Sequence, residues 1–144
     1  MTTARTISPA ETLHTRITFS SKGLWTGRAL SGLAVLFLLL DGGMKLVKPP
    51  FVVDATVQLG YQESAIVGIG LTLLACTLLY VIPRTSVLGA ILLTGYLGGA
   101  VASNVRADAP LLNVAFPILF AVLAWAGVFL RESRLRQLIP IVAD

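Results

Sequence analysis

Apolar residues run through this chain in four long stretches, Leu24–Leu40, Ala65–Ile82, Ser86–Ala102 and Val114–Leu130, with charged residues confined almost entirely to the gaps between them. Each stretch is close to the length of about 20 apolar residues that a helix, rising about 1.5 Å per residue, needs to cross about 30 Å of hydrocarbon. The pattern predicts an all-α protein: a four-transmembrane-helix bundle over residues 24–131, with spans near 24–47, 64–82, 85–104 and 113–131. Polar tails at 1–23 and 132–144 flank it. The first tail lacks the basic start, apolar middle and small-residue cleavage site of a signal peptide, and is expected to lie in or on the aqueous side of the membrane.

Helix breakers place the boundaries. The first span loses its purely apolar character at Asp41, continues to about Val47 and is stopped by Pro49-Pro50. Phe51–Leu59 is too short and polar to span. Asp54, Gln58 and Tyr61 recur at helical spacing opposite Val52, Ala55 and Leu59, which predicts a short amphipathic surface helix between spans one and two, closed by Gly60. An irregular loop is the alternative. Glu63 is expected in the first turn of span two, where a negative charge suits the helix dipole. Pro83-Arg84 separates spans two and three, with Thr85 as N-cap. The Asp108-Ala109-Pro110 turn precedes span four, with Asn113 as its cap and Pro117 in its first turn.

Composition agrees with this frame. Hydrophobic residues make up 56% and charged residues 12%, against about 25% charged in a soluble domain. Mean hydropathy is +0.85. A chain of 144 residues has too much surface to hide four such helices from water, so the lipid bilayer is the expected partner. The net charge of +4 does not indicate nucleic acid, because the basic residues flank the spans without a recognition motif. Eight of them (Arg5, Arg16, Lys22, Arg28, Arg84, Arg131, Arg134 and Arg136) fall on the side of the termini, and three (Lys45, Lys48 and Arg106) on the other. That excess puts both termini in the cytoplasm. Trp25, Tyr80 and Trp125 are expected as an aromatic belt at the cytoplasmic interface.

Small residues at four-residue spacing mark packing faces: Gly95, Gly99 and Ser103 on span three, Gly68, Thr72 and Cys76 on span two, Gly27 and Ser31 on span one. They serve either contacts within one chain or a homo-oligomer. Ionisable groups inside spans are costly and often functional. Asp41 and Lys45 sit one turn apart at the outer end of span one, Asn104 and Arg106 end span three on the same side, and Tyr96 lies about 12 Å deeper. Tyr61 and Glu63 fall at the rim. Two readings stay open: a polar pocket for a small polar ligand or a quinone headgroup, or a structural ion pair with charges snorkelling to the interface.

Several chemistries are not provided for. Cys76 is the only cysteine and His14 the only histidine, so the chain holds neither a disulfide relay nor a bis-histidine haem. No metal-ligand spacing and no Ser/His/Asp or Cys/His set is evident. Stand-alone catalysis is not expected.

The stretch Asp41-Gly-Gly-Met-Lys45-Leu-Val-Lys48-Pro49, then Val57-Gln-Leu-Gly60-Tyr, and the run from Leu79 to Arg106 containing Ile82-Pro-Arg-Thr85 and Gly95-Tyr-Leu-Gly-Gly99, resemble the DoxX-like family of small four-helix bacterial membrane proteins. The resemblance covers roughly residues 24–131. It implies a bundle in the bacterial cytoplasmic (inner) membrane, serving as an accessory or ligand-binding component of a membrane redox or stress-response system with a membrane or periplasmic redox partner. The family is named after proteins linked to sulfur and quinone oxidation, which makes a quinone-linked oxidoreductase subunit the alternative, and quinone the implied cofactor. A small proton-coupled transporter is a third class, disfavoured because Asp41 lies near a span's end. Relatives often carry histidine where this chain has Asn104, which neither titrates near neutral pH nor ligates haem.

Overall fold

The computed structural model describes residues 21–132 and Leu135. They form α1 (Ser21–Val47), α2 (Pro50–Gln58), α3 (Ala65–Val81), α4 (Ser86–Arg106) and α5 (Leu111–Arg131). Within α1, α4 and α5, the segments Gly23–Val47, Ser86–Arg106 and Leu111–Arg131 are long and apolar enough to cross a membrane, while α3, at 17 residues, is a shorter apolar helix. Most of the tails expected at 1–23 and 132–144 lies outside the described residues, although α1 already begins at Ser21.

The long helices and α3 close into a ring in which α1 and α4 each pack against both α3 and α5. The start of α1 and the end of α5 share one end of the bundle, here the base. The end of α1, the short α2 and the start of α3 share the other, here the head. The core repeats at three- and four-residue spacing, through Ala34 and Leu38, then Leu73, Cys76 and Tyr80, then Leu93 and Leu97, then Ala124 and Val128. Outward positions remain apolar: Leu36, Leu71, Ile91 and Val122 are more than half exposed, as residues that face lipid should be.

Close approach at the base is set by small residues. A Cβ on Gly27 would come within 2.8 Å of Leu130 Cβ, one on Gly127 would strike the Ser31 hydroxyl, and one on Gly89 would strike the backbone of Tyr80. Tyr80 is fully buried there and is not part of an interfacial belt. Its hydroxyl donates to the Ala124 carbonyl at 2.8 Å. That uses its single proton, so the Ser31 hydroxyl at 2.9 Å is the donor to the Tyr80 oxygen. The Arg131 guanidinium lies over the Tyr80 ring, 4.9 Å from its centroid, and donates to the Tyr80 carbonyl at 2.9 Å. An interfacial assignment fails here because a tyrosine reads alike, from sequence, at an interface and in a satisfied core.

The boundaries differ in detail from the sequence expectation. The amphipathic segment is a helix, and Gly60 closes it at φ +85° with Gly60 N–H donating to Val57 O and Tyr61 N–H to Thr56 O. Glu63 precedes α3 and does not enter its first turn. Thr85 holds the N-cap position of α4 without a capping bond, since its hydroxyl donates to Leu79 O instead. Helix α5 begins at Leu111 behind Pro110, so Asn113 is not its cap and Pro117 falls inside the helix.

The glycines give a direct test. Gly89→Ala is expected to destabilise the bundle by about 1–3 kcal/mol, because the methyl meets Tyr80 backbone that cannot step aside. Gly68→Ala meets nothing within 4 Å and is expected to be neutral or slightly stabilising. Thermal unfolding of both variants in one detergent measures the difference.

Candidate functional site

At the head the helices enclose a cavity of about 880 Å³, to which all five contribute. Pockets that hold small molecules usually occupy about 300–1,000 Å³. Its roof is the inward side of α2 and its C-cap, with Val52, Ala55 and Leu59, the apolar face that the periodicity picked out, joined by Thr56. One wall is aromatic. Phe37 of α1 stacks on Phe120 of α5 with centroids 3.8 Å apart, and Phe116 meets both at 5.6 and 5.7 Å.

Polar groups gather on the remaining walls. Asp41 and Lys45 line the cavity and pair at 2.6 Å, with the lysine side chain only 15% exposed and the aspartate 34%. Pairing is the condition for keeping either charge at this depth, since an isolated one is costly. Only Oδ1 of Asp41 takes the lysine; Oδ2 has no hydrogen-bond partner among the described residues. Tyr96 lies across from it within electrostatic reach of Asp41 and Tyr61, and its hydroxyl also lacks a partner among the described residues. Ser103 donates to Gly99 O at 2.9 Å, so the 2.6 Å contact with Tyr61 is a bond from the Tyr61 hydroxyl to Ser103 Oγ.

Asn104 is 8% exposed and lines both this cavity and a smaller hollow of about 350 Å³ beneath the α4–α5 turn. Its Nδ2 donates to Ala100 O, one turn back, at 2.9 Å. Because a carbonyl only accepts, that bond fixes which way the amide faces. The Oδ1 atom is left without a partner among the described residues.

Of the residues expected at the pocket, Asp41, Lys45, Tyr96, Asn104 and Tyr61 line the cavity together. Arg106 and Glu63 do not. Arg106 donates to the carbonyl of Leu59 at 3.0 Å, where a cation suits the C-terminal end of α2. Glu63 pairs with Lys48 at 3.0 Å. Both tie down the roof from outside. Gly68, Thr72, Gly95, Gly99 and Ser103, expected to seat neighbouring helices, also line the cavity. A Cβ on Gly68, Gly95 or Gly99 would meet nothing within 4 Å, so these glycines leave space open instead of bringing backbones together.

Other lining residues were not expected at the pocket from the sequence. Phe116 and Phe120 fall one turn apart on α5, and Asn113 and Pro117 share that face; this spacing was available to be read. Pro117 has no N–H, so the Asn113 carbonyl loses its usual donor inside the helix. Among the described residues no group of three or more His, Cys, Asp or Glu side chains is placed to hold a metal.

The profile of the DoxX-like family matches residues 29–127, over two-thirds of the chain, a range that takes in all or most of every helix that lines the cavity. No curated protein and no solved structure matches it.

The ion pair generates a prediction of its own. Asp41→Asn leaves Lys45 charged and unpaired and is expected to lower the melting temperature. The double variant Asp41→Leu/Lys45→Met, which removes both charges, is expected to recover most of that loss. Equal losses in the single and double variants would show that the pair is not what stabilises this end.

Proposed function

The chain belongs to the DoxX-like family, matched over residues 29–127, and we propose that it is a ligand-binding component of a membrane redox or stress-response system, without a catalytic centre of its own. The ligand in this reading is a lipid-soluble ring with a polar head, and quinones are the class. One observation carries it: a cavity of about 880 Å³ combines an aromatic wall from Phe37, Phe116 and Phe120 with a polar wall from Asp41, Lys45, Tyr96 and Asn104. An apolar pocket with a few convergent polar groups is the form small-molecule sites usually take. A structural ion pair alone accounts for Asp41 and Lys45. It does not account for the Tyr96 hydroxyl, which has no partner among the described residues, or for the open space beside Gly68, Gly95 and Gly99.

In this reading all four long stretches cross the bilayer, α3 included. Its 17 residues rise about 25 Å, close to the thickness of the hydrocarbon core. The excess of basic residues at the base puts that end in the cytoplasm, which places the cavity in the outer half of a bacterial inner membrane. A quinone-linked oxidoreductase subunit is the same site with a redox partner docked at the head.

Ligand binding is tested with purified protein and a short-tailed benzoquinone, read as a shift in melting temperature and as a Kd by titration. Wild type is expected to bind. Gly99→Phe, whose side chain enters the open space without touching the packed base, is expected to weaken binding tenfold or more at unchanged stability. Unaltered binding by that variant would move the site elsewhere, and no binding by wild type would remove the proposal. Orientation is tested separately, in cells and in a Cys76→Ser background. A membrane-impermeant thiol reagent added outside is expected to label Asp108→Cys and spare Arg84→Cys, and the reverse result would invert the topology.

A further inference from the structure

We infer that the smaller hollow beneath the α4–α5 turn is a water port: it joins the head cavity across Asn104 and Asn113 and hydrates the Asp41–Lys45 wall from the aqueous surface. The inference goes beyond the ring-ligand reading and does not rest on it, because water would fill the port whether or not a ring enters the cavity. The deciding juxtaposition is a partition that the two spaces share. Ala55 and Leu59 of the roof, Asn104 of α4 and Asn113 of α5 line both the cavity of about 880 Å³ and the hollow of about 350 Å³. Two of those four side chains are primary amides.

The polar atoms along this path have capacity left over. Asn104 is more than nine-tenths buried, and its bond to Ala100 O uses one N–H of the amide; the second N–H and Oδ1 have no partner among the described residues. On the hollow side, the amides of Gln58 and Asn113 and the Asp108 carboxylate also lack a hydrogen-bond partner among the described residues. On the cavity side the same holds for Asp41 Oδ2, the Tyr96 hydroxyl and two of the three Lys45 N–H groups. Donors and acceptors alike are left over, and each costs free energy if it is buried without a partner.

Water serves both kinds, since one molecule donates two hydrogen bonds and accepts two. It needs two to four polar partners and about 30 Å³, and the hollow has room for several. The hollow has no aromatic lining and a single large aliphatic side chain, Leu59, so it offers an apolar ring little. Its outer wall is the turn itself, where Ala107, Asp108 and Pro110 are exposed, and a charge there belongs at an aqueous surface and not in hydrocarbon. Through the port, Asp41, Lys45 and Tyr96 exchange protons with water at the head. The base offers no such route, because Gly27, Gly89 and Gly127 close it around Tyr80.

Cysteine accessibility tests the port in the full chain, carrying Cys76→Ser and reconstituted in phospholipid nanodiscs, where both faces meet the reagent. The probe is 2-(trimethylammonium)ethyl methanethiosulfonate, whose permanent charge keeps it out of lipid and which attacks the thiolate, a form that hydrocarbon suppresses. Gly98 and Gly99 are both exposed, with nothing within 4 Å of an added Cβ, but Gly99 lines the cavity and Gly98 does not. Gly99→Cys is expected to react at least tenfold faster than Gly98→Cys, read by intact mass. Ala109→Trp, which enlarges a side chain lining the hollow alone, is expected to slow Gly99→Cys tenfold or more; Ala107→Trp replaces it if gel filtration shows misfolding. Equal rates at the two cysteines would overturn the inference. So would a Gly99→Cys rate that the folded tryptophan variant leaves unchanged, since water would then enter elsewhere. No ring ligand is used, so either failure leaves the ring-binding reading standing, and failure of quinone to bind leaves the port.

Discussion

Hydrocarbon exerts no hydrophobic pressure to push helices together, so close backbone contact has to hold this bundle, and it is concentrated around Tyr80. Gly27 and Gly127 bring α1 onto α5, and Gly89 brings α4 onto the end of α3. Into that junction the Tyr80 hydroxyl delivers a bond to α5 and accepts one from α1, while Arg131 returns from α5 to the Tyr80 carbonyl. The Ser31 and Tyr80 hydroxyls and the Tyr80 and Ala124 carbonyls there are all hydrogen-bonded, as a low-dielectric site demands. One end of the bundle is thereby fixed on all sides, and the other end is free to separate.

That separation is what creates the cavity. Toward the head, α3 carries Gly68 and α4 carries Gly95 and Gly99, where an added Cβ would meet nothing within 4 Å, and Thr72 lines the same cavity. Phenylalanine rings fill the α1–α5 side, and α2 covers the top. Gly42 and Gly70 still hold α1 against α3 beside Lys45, which keeps the ion pair on a rigid wall. The same residue type therefore does opposite work at two places: glycine against backbone closes the base, and glycine against empty space opens the head.

The division shows what the sequence made legible. Helix number, the amphipathic α2, its stop at Gly60 and the gathering of Asp41, Lys45, Tyr61, Tyr96 and Asn104 at one end all follow from local signals: apolar run length, proline and glycine position, and polar residues near a span's end. Which face of each helix turns inward is a tertiary fact. In a helix apolar all round, periodicity carries no contrast, so Gly68, Gly95 and Gly99 read the same as Gly42, Gly70 and Gly89. Tyr80 was misplaced for that reason. Arg106 was misplaced for another, because its partner is a backbone carbonyl at Leu59 and no side chain in the sequence announces it.

The roof and the base differ in the kind of bond that holds them. Helix α2 is tied at the rim by Lys48 to Glu63, by Arg106 to the Leu59 carbonyl and by Tyr61 to Ser103, at or near an aqueous surface. Exposed ion pairs contribute about 0–1 kcal/mol each. Its connection to α1 runs through Lys48, held at φ 55° just before Pro49-Pro50, so the roof joins the bundle through an abrupt turn and does not continue a helix. Beneath it, Thr56 returns its hydroxyl proton to Val52 O and asks nothing of the cavity. The base, by contrast, is held by close glycine contacts and by the buried hydrogen bonds of Tyr80. If the cavity binds a ligand as proposed, the roof and the glycine-lined gap below it are the routes least obstructed by packed backbone, and the polar wall lies just inside either one.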